Sequence, residues 1–477
     1  MLKTFNLLWT RPKFYQQILS SFPSRSILNV SIFVSLGVPS LFHTSLRCPL
    51  TESKTIPKFA SQFAAVRSLT EKHRDKHVDQ AFYLGDVGTV KKQYKQWVQK
   101  LPRVVPFYAV KCNPDPVLVS TLFQQGAKFD VASSGEISLC LSLGIPPESI
   151  LFANPVKNIK HIEYAASSNV KRMTFDNEYE LDKIKRHHPR AELILRLLPD
   201  DSGSLMSFGS KFGCRFSNVH NLLLKAKRLN LKVVGTAFHV GSGCYDPAAY
   251  DKAIKLSKAV HDLAITLQLP RFTVIDIGGG LSGTNAESVM DGKIIPSFDK
   301  FAVAINDALD KYFPQGNNSV RMDDDVEICA EIGRYFGTQF QTLFTTVSGK
   351  RKEVETIADE SKQKEYKVMY YINNSTYDAF NCVYNDHYTP QPLLLNELLQ
   401  KLQTTKTEGK ANRMSKQVNC TIVGESCDSR DSIVKNITLP ELDIGDIIAW
   451  ENMGAYTSAA GCSFNGFKRA AIYYYEV

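Results

Sequence analysis

From about residue 82 onward, short apolar runs alternate with stretches in which apolar residues recur three and four positions apart. The apolar runs predict strands over Pro106–Lys111, Phe129–Ser133, Ile150–Pro155, Arg172–Asn177, Glu192–Leu198, Val233–Gly241, Phe272–Gly280 and Glu327–Phe336, since residues of this kind pack well on a pleated, buried surface. The intervening spacing predicts helices, among them Val117–Gln125, stopped by Gly126, and the longer Ala248–Leu269 and Phe298–Phe313. Strands alternating with helices in this number predict a (β/α)8 barrel, with a doubly wound open sheet as the alternative. The strand count favours the barrel. So does the placement of polar groups: Lys111, Asn154, Arg196, His239, Gly278–Gly280, Glu331 and Arg334 fall at or just past predicted strand ends, the rim on which barrel sites are built.

After about residue 338 the texture changes. Gln339–Ser348, Lys367–Ile372, Val418–Val423 and Ile444–Glu451 are rich in β-branched and aromatic residues, and helical periodicity is confined to Leu393–Leu402. This predicts a mostly β domain over 338–477, following a barrel over 87–337. The polar stretches Gly349–Glu365 and Thr404–Gln417 read as mobile loops.

Composition changes this picture only at the N-terminus. The 477 residues are 43% hydrophobic and 22% charged, an ordinary globular balance. The net charge is +9, but residues 1–51 hold no Asp or Glu while carrying Lys3, Arg11, Lys13, Arg25 and Arg47. This segment resembles a mitochondrial presequence; an untargeted extension is the alternative, so the expected location is cytoplasmic or mitochondrial. Ser26–Leu41 is too short and too polar to predict a membrane span. No basic arm with interleaved aromatics predicts nucleic-acid binding. The ten cysteines form no CxxC pair, which argues for a reducing compartment and against a zinc site or disulfide framework.

The candidate chemistry centres on PFYAVKCNPDP, residues 106–116, where Lys111 closes an apolar strand. A lysine there can simply snorkel to solvent. A Schiff-base lysine needs a phosphate cradle, a partner for a pyridine nitrogen and a wall for the ring. IDIGGGLSG at 275–283 offers glycine N–H groups to a phosphate, AEIGRYFG at 330–337 offers Glu331 and Arg334, and FHVGSGC at 238–244 offers His239 and Ser242. Each alone is weak evidence; together they support one another.

PFYAVKCN, FHVGSGC, DIGGG, EIGRYF, the CD pair at 427–428 and ENMGAYT at 451–457 resemble the motifs of eukaryotic ornithine decarboxylases, in one collinear series from about residue 80 to the C-terminus. The resemblance implies a pyridoxal 5′-phosphate-dependent decarboxylase acting on a basic amino acid, with L-ornithine giving putrescine in polyamine biosynthesis. It implies a barrel plus a β domain whose first strand comes from residues 52–86, near Asp79–Leu84, and a homodimer with active sites between subunits. Lys111, Cys427 and His239 would be catalytic: Lys111 carries the cofactor, His239 stacks on its ring, and Cys427 returns a proton to the α-carbon. Glu331 would bind the ring nitrogen. Gly278, Gly279, Gly280, Ser242, Arg334 and Tyr456 would hold the phosphate, with Asp130, Glu136 and Arg196 supporting the site. Lys211 would sit on a mobile loop. Asn374, Asp428 and Phe464 would contact substrate, with Cys427 and Asp428 reaching in from the partner. No metal is implied.

Three site motifs depart from the family pattern. Ile332 stands where the family's E-P-G-R motif has proline, and Gly424, Glu425 and Ser426 stand where G-P-T is usual. Asn374, in YINNSTYD, is matched to an acid that would hold the distal amine together with Asp428. Two further readings therefore stand beside ornithine decarboxylation: a decarboxylase of another amino acid, owing to Asn374, and a non-catalytic regulator like the antizyme inhibitors. An antizyme-like regulator is also a possible partner of the enzyme. The presence of Lys111, Glu331 and Cys427 argues against the non-catalytic reading.

Overall fold

The computed structural model describes residues 55–75, 80–284, 286–315, 326–354, 366–386, 388–403 and 416–477. The basic segment 1–51, Asp79 and most of the two expected loops lie outside them.

After a helix over Gln62–Arg74 the chain forms strand β1, Phe82–Asp86, and then builds eight barrel strands. These are β2 (Val104–Ala109), β3 (Lys128–Val131), β4 (Ile150–Phe152), β5 (Arg172–Phe175), β6 (Glu192–Arg196), β7 (Lys232–Ala237), β8 (Val274–Asp276) and β9 (Glu327–Ile332). All neighbours pair in parallel, and β9 closes onto β2 with Glu331 opposite Phe107. The result is a closed barrel, not an open sheet. Phe107, Leu151, Ile194, Val234, Val274 and Cys329 are buried together in one cluster of strand side chains. A larger apolar layer joins the strands to the surrounding helices.

The predicted helices form over Pro116–Gln125, Ala248–Thr266 and Phe298–Tyr312. In the first, Pro116 opens the helix, Asp115 accepts from the Val117 and Leu118 N–H groups, and Gly126 ends it at φ +108°, a conformation glycine adopts without steric cost. Every barrel strand ends short of its predicted limit. The strand-end residues leave the ladder to form the rim, so Lys111 stands on a 3-10 turn, Val110–Cys112, beyond β2.

The β domain contains β10 (Gln341–Val354), β11 (Tyr366–Ile372), β12 (Pro392–Leu394), β13 (Gln417–Val423), β14 (Ser432–Pro440), β15 (Ile447–Trp450) and β16 (Ala471–Tyr475). Strand β1 joins this sheet, antiparallel to β10 and parallel to β16. Asp86 then caps the helix Val87–Lys100 by accepting from Thr89 N–H at 3.1 Å, so the chain passes from sheet to barrel at one residue. Residues 349–354, expected in a loop, instead continue β10 against β11. Their polarity hides the strand: Lys350 and Lys352 both reach Glu441, at 2.9 and 2.7 Å, so charge pairing replaces the usual apolar alternation. Among the described residues, no helix is long and apolar enough to cross a membrane.

Candidate active site

Strand ends and two β-domain segments enclose a cavity of about 710 Å³, lined by Lys111, Asp130, Arg196, His239, Glu331 and Arg334 among others. The Lys111 side chain is 44% exposed, opening into this space. Its ammonium meets Asp130 in a very short ion pair. Burial works against the charge, but Asp130 and then Glu331 more than offset it, so the Lys111 pKa lies above the ordinary lysine value. The Asp130 side chain is almost wholly buried, and its second oxygen finds no donor.

Glu331, at the end of β9, is buried and its carboxyl is pushed up to about 7, first by burial and then by Asp130, against the pull of Lys111 and Arg196. His239 follows β7. Burial, with Arg196 and Lys111 nearby, lowers its pKa well below the usual value, leaving a neutral ring. Its Nδ1 accepts from Gly241 N–H at 3.0 Å, and Phe208 packs edge-on at 4.9 Å. Arg196 lies over the Phe212 ring at 5.0 Å. Lys211 also lines the cavity and lies 5.0 Å from that ring. Glu136 stands behind this group: it accepts from Ala132 N–H at 2.6 Å, and burial raises its carboxyl.

Arg334 donates to Ser242 Oγ at 3.1 Å, grips Asp386 through both terminal nitrogens and stacks 4.5 Å over Tyr456. Arg334, Ser242 and Tyr456, with Gly280, form the wall that would hold an anion, which would compete with Asp386 for the guanidinium. The three glycines do not act alike. Gly278 N–H donates to Asp276 Oδ1 at 2.8 Å, so it is not free for a phosphate. A Cβ at Gly278 would stand 2.1 Å from Phe238 O, and one at Gly279 2.5 Å from Glu331 O. Those two glycines permit close backbone packing, while Gly280 faces the cavity.

The remaining predicted site residues gather elsewhere, on the β domain. The Asn374 side chain does not line the Lys111 cavity of its own chain. It is 1% exposed and fully engaged, donating to Asp378 at 2.9 Å and accepting from Ser375 and Ala379 N–H groups. Asp428 is held by Arg430 at 2.9 Å and by the Tyr377 hydroxyl. Phe464 stacks on Tyr377 with ring centroids 4.1 Å apart, and Cys427 is exposed. The acid that does line the cavity from the β domain is Asp386, which sequence reasoning missed. It lies in an unremarkable YND segment far from any strand-end motif, and only the fold brings it to Arg334.

The residues present suit pyridoxal phosphate: an amine for covalent attachment, a buried carboxyl for the ring nitrogen, a neutral imidazole beside them and an arginine–serine wall for the phosphate. Comparison with known proteins agrees. Residues 87–338 match the family described as pyridoxal-dependent decarboxylase, pyridoxal binding domain. The ornithine decarboxylase of Mus pahari is 42% identical over 397 residues, covering 83% of this chain and 80% of its own length. Antizyme inhibitor 2 of Xenopus laevis is 40% identical over 397 residues, with the same coverage. The crystal structure of the Paramecium bursaria Chlorella virus arginine decarboxylase bound to agmatine superposes with a TM-score of 0.73 at 35% identity, covering 86% of this chain and all of that one.

Proposed function

Since this chain belongs to the pyridoxal-dependent decarboxylases of the ornithine decarboxylase family, we propose that it decarboxylates L-ornithine to putrescine at the Lys111 cavity. The observation that carries this reading is the convergence of Lys111, Glu331, Arg334 and Asp386 on one enclosed space. Lys111 would hold the cofactor through its side-chain amine. Bound there, the cofactor supplies the electron sink for the charge left when CO2 departs. Glu331 keeps the ring nitrogen protonated. Arg334, Ser242, Gly280 and Tyr456 hold the phosphate, and His239 walls the ring. Asp130 and Arg196 fix Lys111 and Glu331 electrostatically.

Asp386 is the proposed partner of the substrate's distal ammonium, in place of Asn374, because Asp386 lines the cavity and Asn374 does not. Cys427, Asp428 and Phe464 cluster outside their own chain's cavity. This supports a homodimer in which they complete the neighbouring copy's site, with Cys427 protonating the α-carbon. The antizyme-inhibitor reading is supported by the Xenopus relative; the assembled Lys111 cavity supports the enzyme. An antizyme-like protein is proposed as a regulator on the same ground. Mitochondrial targeting rests on the acid-free composition of residues 1–51.

The experiment is CO2 release from ornithine, lysine, arginine and neutral amino acids with added pyridoxal phosphate. Ornithine is expected to give the highest kcat/KM. Preference for a neutral amino acid would overturn the substrate, and no release from any of them would overturn the activity.

A further inference from the structure

Asp276 closes β8 inside the barrel, where it is 0% exposed. Its Oδ1 accepts the Gly278 N–H at 2.8 Å, while its Oδ2 has no ordinary donor. The neighbouring group is another buried acid, Glu331, whose carboxylate is the chief charge acting on Asp276. The backbone locks them in register, since Ile277 N–H donates to Cys329 O at 2.8 Å and Glu331 N–H to Gly278 O at 2.9 Å. Two ionised carboxylates held this near each other by the backbone and away from water would repel strongly, so the pair is favoured with a proton on one of them.

The charged surroundings say where it sits. Glu331 feels the cationic Lys111 and Arg196, whereas the leading influences on Asp276 are its burial and the acids Glu331 and Asp130. His239, beyond β7, is neutral. With Asp276 neutral, the charges of Lys111, Arg196, Asp130 and Glu331 balance; with Asp276 ionised, one buried negative charge is left over. Burial and the neighbouring Glu331 both favour the protonated form of Asp276.

We propose that Asp276 is a positioning residue that stays protonated and donates its O–H to Glu331, fixing that carboxylate for the cofactor's ring nitrogen. Asp276 touches neither substrate nor cofactor and acts only through Glu331. The proposal rests on the cofactor reading given above.

The test titrates pyridoxal phosphate into the full chain across pH 5–9, following cofactor binding by its absorbance. Asparagine can keep both contacts, because Oδ1 still accepts from Gly278 and Nδ2 donates to Glu331. Asp276→Asn is therefore expected to hold cofactor affinity within about threefold and to leave the acid-side fall in affinity, which reports Glu331, unmoved. Asp276→Leu is expected to weaken binding by about tenfold or more, through loss of a hydrogen bond to a charged group. If Asp276 were ionised, Asp276→Asn would remove a repelling charge and move the acid-side fall down by about one pH unit or more. That shift, or a loss in Asp276→Asn as large as in Asp276→Leu, would overturn the proposal. Should the leucine variant not fold, the asparagine profile decides alone. No binding by the wild type would instead overturn the cofactor reading.

Discussion

Glu331 shows how much one residue's setting matters. In the protein without cofactor its carboxyl lies at about 7, above the ordinary value of 4.5, chiefly because it is buried. A carboxyl raised in the folded state contributes stability that is complete below about 4.5 and is lost as pH rises through about 7. Glu331→Gln is therefore expected to flatten the fall in Tm between pH 5 and 8 while abolishing most turnover; an unchanged slope would remove Glu331 as its source. Asp386→Asn tests the proposed distal-amine contact. It should raise KM for ornithine by about tenfold or more with a smaller change in kcat, as expected for lost ground-state binding. An unchanged KM would send the search back to Asp428. The strand-end residues Lys111, His239 and Glu331 were legible in the sequence because their motifs follow apolar runs. Asp386 and Asp276 were not. The first becomes a cavity residue only through the β domain's placement, and the second hid as an ordinary strand residue before the glycines.

Among the elements, the barrel strands were readable because an enclosed parallel sheet demands continuous apolar runs. Their ends were not, because the residues past Ala109 or Asp276 continue the apolar pattern while leaving the ladder. The end of β10 fails for the opposite reason: Lys350 and Lys352 look like loop residues until Glu441 is placed beside them. The segment from Gly424 to Asp431 presents Cys427 and Asp428, and Asp431 holds it. Its carboxylate accepts from Thr376 N–H and Oγ–H, both at 2.9 Å, and from Ser426 N–H at 3.0 Å. Asp431→Ala leaves those buried donors unmet and should cost about 2 kcal/mol or more, read as a lower denaturation midpoint. If Cys427 serves catalysis, kcat should fall as well, even at temperatures where the variant is fully folded. A stable variant with normal kcat would show that this segment's geometry is irrelevant to the reaction.

For the whole molecule, the Lys111 cavity draws on the barrel and on Asn385, Asp386 and Tyr456 of the β domain, while Cys427, Asp428 and Phe464 do not line it. Sharing across a dimer has a quantitative consequence. Lys111→Ala mixed with Cys427→Ala should regain up to about a quarter of wild-type activity after random subunit exchange, because only half of the mixed dimers' sites are intact. No recovery after verified exchange would confine each site to one chain. The central claim, that Lys111 carries pyridoxal phosphate for decarboxylation, is tested most directly by reducing the cofactor-loaded protein with borohydride and mapping the modified peptide. The account predicts a single reduced adduct on Lys111, with loss of both the visible absorbance and CO2 release, and neither adduct nor turnover in Lys111→Ala. An adduct on another lysine, or none at saturating cofactor, would contradict it.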